Sequence, residues 1–79
     1  MSPQPLPRLN PEDRARVVRL AGPGRLVRRL LAMGLRPGAE VMVLRRAPLG
    51  DPLEVQVGAS LLLSIRQEEA CHVLVGTGP

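Results

Sequence analysis

The chain has 79 residues, 44% of them apolar, yet no Phe, Tyr or Trp. Its core must therefore come from leucine and valine in a single domain that buries only about 60% of the surface it exposes when unfolded. The formal charge is +4 and all eleven basic residues are arginine, a balance that suits an anionic partner or an ordinary solvated surface. One cysteine excludes an internal disulfide and fits a reducing, cytoplasmic location, and apolar runs such as Leu61-Leu62-Leu63 are far short of the ~20 residues a membrane span needs.

The opening segment, MSPQPLPRLNP, is rich in proline and lacks the apolar stretch of a secretion signal. Residues 1–8 read as a flexible lead-in and residues 9–76 as the domain. Arg14 to Leu20 mixes valines with arginines and ends on Ala21-Gly22-Pro23-Gly24, a first strand and its turn. Val17 and Val18 are adjacent, so a regular strand cannot turn both inward.

From Arg25 to Met33 the period changes. Leu26, Val27, Leu30, Leu31 and Met33 gather on one side of a helical wheel and Arg25, Arg28 and Arg29 on the other, which predicts a short amphipathic helix. Gly34 stands where the chain must turn left-handed after that helix. Leu35 then falls where a Schellman cap makes its apolar contact with the last turn, and Pro37-Gly38 turns the chain into the next strand.

Strands follow over Val41–Arg46, Leu53–Val57 and Leu61–Ile65, with the prolines of Ala47-Pro48-Leu49-Gly50-Asp51-Pro52 bracketing one turn and Gly58-Ala59-Ser60 making another. Leu53, Val55 and Val57 alternate inward, as do Leu61, Leu63 and Ile65. Arg66–Ala70 reads as one helical turn and Cys71–Val75 as the closing strand. The fold class is mainly β: a small five-stranded barrel with one short helix after the first strand.

Catalytic chemistry has little to build on. There is one histidine and one cysteine, with neither a phosphate-binding loop nor a nucleophile elbow, and Glu12-Asp13 and Glu68-Glu69 read as solvated charge. The chain is not expected to be an enzyme. Cys71-His72 is the soft-metal pair, but adjacent strand residues face opposite ways. By the alternation of Val73 and Val75, Cys71 should be core and His72 exposed, so a transition metal would be held by His72 with Glu69; no cofactor is required. Nucleic acid is not expected either, because no aromatic side chain can stack on a base. Leu35, Leu49 and Leu62 are the candidates for exposed apolar contacts. The edges of so short a barrel also leave a homodimer open.

The run Leu30-Leu31-Ala32-Met33-Gly34-Leu35-Arg36-Pro37-Gly38, then Val41 and Val43, then Pro48-Leu49-Gly50-Asp51-Pro52, and finally Leu61-Leu62-Leu63-Ser64-Ile65-Arg66-Gln67-Glu68-Glu69-Ala70, resembles the FeoA family of ferrous iron transport proteins. The resemblance covers roughly Leu9 to Val75. One departure is Gly58-Ala59-Ser60, a residue longer than the family's usual connection. The resemblance implies an SH3-like barrel acting as an accessory to FeoB, the membrane-bound ferrous iron transporter, so that any membrane contact runs through that partner. Arg28, Arg29, Met33 and Leu35 at the helix corner, with Leu49 on a distant loop, are the expected partner surface, and Gly34, Pro37, Gly38, Gly50, Asp51 and Pro52 the structural motif. The alternative implied by the same fold is a metal- or peptide-binding regulatory module like the C-terminal domain of iron-dependent repressors.

Overall fold

The computed structural model describes residues 3–77. Six strands form one antiparallel sheet: β1 (Gln4–Pro5), β2 (Arg14–Leu20), β3 (Glu40–Arg46), β4 (Leu53–Val57), β5 (Leu61–Ile65) and β6 (Val73–Gly76), in the spatial order β1-β6-β2-β3-β4-β5. Helix α1 (Gly24–Ala32) joins β2 to β3, and α2 (Gln67–Ala70) precedes β6. Among the described residues no ladder joins β1 to β5. The sheet is thus six-stranded and open where a closed five-stranded barrel was expected, and α1 follows the second strand.

The extra strand comes from the segment read as a flexible lead-in. Gln4 pairs with Val75 and Pro5 with Leu74, and a 3-10 turn over Leu6–Arg8 delivers Leu6 and Leu9 fully into the core. Two leucines spaced by three fit one face of such a turn, and their burial offsets the cost of ordering a proline-rich strand. Residues 1 and 2 of the expected lead-in lie outside the described residues.

The core is wholly apolar. Val17, Val41, Val43, Leu53, Val55, Val57, Val73 and Val75 come from the strands, with Leu30 from α1, Ala70 from α2 and Leu35 from the corner after α1; among the described residues no polar one is buried. The valine alternation in β4 and β6 is a strict in-out pattern, as strand geometry requires. In β2 the ladder to β6 shifts register between Val17 and Arg19. That bulge resolves the adjacent valines: Val17 is buried while Val18 is 45% exposed, since the inserted residue leaves the ladder and the strand bends around it. A second shift between Val43 and Arg45 does the same for Leu44 in β3.

Candidate partner-docking face

Helix α1 covers the core with a narrow stripe. Leu30 is buried and Leu26, Val27 and Met33 are half-buried, while Arg25, Arg28, Arg29, Leu31 and Ala32 are exposed. Leu31, read as core from the wheel, stands 37% exposed because it lies at the rim of the apolar stripe of this nine-residue helix. Arg29 Nη1 meets Glu69 Oε2 at 3.0 Å, fastening α1 to α2. Among the described residues neither Arg25 nor Arg28 makes an ion pair. They are the free positive charges of the helix.

The helix ends as its residues require. Leu35 N–H donates to the Leu30 carbonyl at 3.1 Å and Gly34 N–H to the Leu31 carbonyl at 2.9 Å, the paired bonds of a Schellman cap, with Gly34 at φ 93°. A Cβ on Gly34 would sit 3.4 Å from Leu61 Cδ2, an ordinary contact, so the penalty for any side chain there is conformational. Gly34→Ala is expected to lower stability by about 1–2 kcal/mol in a urea melt, with Leu61 still in place.

That same cap corrects the reading of Leu35 as an exposed contact. The cap sends the residue after Gly34 back onto the turn below, and Leu35 is fully buried against the core, as is Leu30. Leu35 is therefore a packing residue and cannot touch a partner. Leu49, in contrast, is 97% exposed in the loop between β3 and β4. Strand β3 runs seven residues between the helix corner and that loop, roughly 20 Å, so Leu49 does not share a surface with Arg28, Arg29 and Met33. Leu62, 64% exposed, stands on β5. The three leucines do not cluster.

The loop carrying Leu49 has a different task. Gly50, at φ 87°, donates to the Ala47 carbonyl at 2.7 Å and Ala47 N–H to the Pro52 carbonyl at 3.0 Å. This brings Asp51 Oδ1 to 2.9 Å from the Gln67 N–H, where it satisfies one of the free donors at the start of α2. No signal within the loop announces that contact, since its partner lies 16 residues on. At the edge of the outer face Arg45 forks onto Glu54 at 2.9 and 3.1 Å. The Arg45 guanidinium is held above its ordinary pKa first by that hydrogen bond and then by the Glu54 charge.

The two residues expected to hold a metal, His72 and Glu69, lie one helical turn apart, the His72 N–H donating to the Glu69 carbonyl at 3.1 Å. Glu69 faces Arg29, while the His72 ring lies over Gly22, where an added Cβ would stand 2.8 Å from Nδ1. Cys71 is exposed, not core: it caps α2, its Sγ 3.0 Å from the Glu68 carbonyl, and β6 begins only at Val73. Its side chain is thus outside the alternation that buries Val73 and Val75. Among the described residues no three His, Cys, Asp or Glu side chains gather as a metal site, and no helix is long and apolar enough to cross a membrane.

A six-stranded antiparallel sheet capped by one short helix, with an all-apolar core and an arginine face, defines a small SH3-like domain. The chain matches the FeoA domain over residues 4–76; it belongs to the FeoA family, which is associated with ferrous iron transport. Its structure is similar to the FeoA protein of Chlorobium tepidum, with 44% identity, a TM-score of 0.81, and 90% of this chain and 67% of that one covered. It is similar also to a zinc-complexed FeoA of Stenotrophomonas maltophilia, described as a prokaryotic SH3 domain protein and a candidate activating factor of bacterial ferrous iron transport, with 32% identity, a TM-score of 0.76, and 91% and 88% covered. The IdeR of T. acidophilum shares the fold, with a TM-score of 0.82 at 20% identity, covering 99% of this chain and 35% of that one. No curated protein matches the chain.

Proposed function

We propose that this chain is a non-enzymatic cytoplasmic accessory protein of ferrous iron uptake that docks on the cytosolic region of a FeoB-type transporter through the exposed face of α1. The observation that carries this reading is the FeoA family match across residues 4–76. The choice of face rests on charge: Arg25 and Arg28 are exposed and unpaired among the described residues, and Leu31 lies beside them. Arg29 and Met33 remain at the border of this face, Arg29 holding Glu69 and Met33 half in the core. The partner surface is acidic, with an apolar spot for Leu31.

Calorimetry of the chain with the purified cytosolic region of a FeoB-type transporter tests this. Arg25→Glu together with Arg28→Glu should weaken binding about tenfold or more and flatten its salt dependence, because like charges would now oppose each other across the contact. The variant should keep the parent's melting curve, since both side chains are exposed. Unchanged affinity moves the contact off α1, and no binding by the parent chain ends the reading. Likeness to the IdeR of T. acidophilum is one of fold, and among the described residues no three His, Cys, Asp or Glu side chains gather as a metal site.

A further inference from the structure

The two ends of the sheet are built differently. β1 offers two residues, and one of them is Pro5, which has no N–H to give to a neighbouring strand. β5 is a five-residue strand, Leu-Leu-Leu-Ser-Ile, with no charge, proline or register shift. Natural sheets blunt their free edges with such devices to prevent further pairing; here only one end is blunted. Among the described residues β5 is hydrogen-bonded to β4 alone. Alternate backbone groups along it therefore point away from the sheet, beside Leu61 and Leu62 at 47% and 64% exposure.

We propose that β5 is a self-association edge, at which two copies of the chain pair antiparallel about a two-fold axis through Leu63. Face parity sets this register. In a continuous sheet opposed residues share a face, so Leu61, Leu63 and Ile65 must oppose odd-numbered residues of the second copy. Centring on Leu63 uses all five residues, placing Leu61 against Ile65, Leu62 against Ser64, and each Leu63 against its own equivalent.

A second copy fits this edge better than an acidic partner does. The chain carries +4 overall, yet β5 has no charge for an acidic strand to read. Continued one residue past the strand, the pairing sets Arg66 against Ser60, so no like charges meet. The arrangement is isologous, the commonest way for identical subunits to close. An edge this short buries less than the ~1,200 Å² of a standard interface, so the dimer is weak, with a dissociation constant on the order of 0.1–1 mM.

Sedimentation velocity and NMR translational diffusion of the full chain, followed from about 10 μM to about 2 mM to span that constant, should show a reversible monomer–dimer equilibrium. Leu62→Lys with Ser64→Lys sets two pairs of like charges opposite one another and should weaken it at least about tenfold, as should Leu62→Glu with Ser64→Glu. Mixing the lysine and glutamate variants should restore association as a heterodimer. Far-UV circular dichroism melts confirm that each exposed-site variant is folded. A parent chain that stays monomeric at the top of the range overturns the proposal, even if an unrelated extended peptide titrates onto β5. So does a lysine variant that dimerises like the parent, or a mixture that fails to associate.

Discussion

Leu35→Ser is expected to leave most molecules unfolded. The side chain is fully buried beside Leu30 under the helix cap, and removing a buried leucine costs about 3–5 kcal/mol, to which stranding a hydroxyl adds about 1–3 kcal/mol. A domain of this size has roughly 4–12 kcal/mol to lose. Urea denaturation followed by far-UV circular dichroism measures the effect; the absence of Phe, Tyr and Trp leaves no intrinsic aromatic signal. Leu49→Ser, at a site 97% exposed, should shift stability by less than about 0.5 kcal/mol. The contrast matters for any binding study: loss of transporter binding in a Leu35 variant would report on folding, whereas Arg25 and Arg28 report on contact. A Leu35→Ser protein melting at the parent's midpoint would refute the packing described above.

Arg46→Ala is expected to release the N-terminal segment. Half-buried at the end of β3, the Arg46 guanidinium donates through Nη2 to the carbonyls of Pro7 and Leu9, the latter at 2.8 Å. Those carbonyls lie within and just after the turn that seats Leu6 and Leu9 in the core. Hydrogen bonds from a charged donor contribute about 1.5–3 kcal/mol, and the half-exposed position brings the expected loss to about 2 kcal/mol. Arg46→Lys should recover part of it, because an ammonium keeps the charge but not the planar fork. Native-state hydrogen exchange should show the loss concentrated in the β1–β6 ladder, Gln4 with Val75 and Pro5 with Leu74, with β3 and β4 unaffected. Equal protection of that ladder in the parent and Arg46→Ala would show that the clamp holds nothing.

Local signals read correctly wherever a few neighbouring residues set the outcome. The wheel over Arg25–Met33 gave α1 within one residue at each end, and strands β4 and β5 came out with their bounds as read. The three residues of Gly58-Ala59-Ser60, longer than the family's usual connection, simply form the hairpin loop, and the β4–β5 register runs unbroken from Val57 with Leu61 to Leu53 with Ile65. For the proposed docking face, the exposure of the α1 arginines followed from their spacing, whereas the burial of Leu35 and the distant loop position of Leu49 did not.

By itself the sequence determined the apolar stripe of α1, the left-handed stop at Gly34 and the alternation of the valine strands, because helix period, glycine's freedom at positive φ and the strand pleat act within a handful of consecutive residues. Tertiary structure decided the rest. Gln4 and Pro5 became a strand only because β6, some 70 residues away, offered them a free edge, and Arg46 found its acceptors 37 and 39 positions back along the chain. Leu35 went inward because the face it caps against was already apolar. Burial and long-range pairing depend on which distant surfaces meet, and no window of neighbouring residues carries that information.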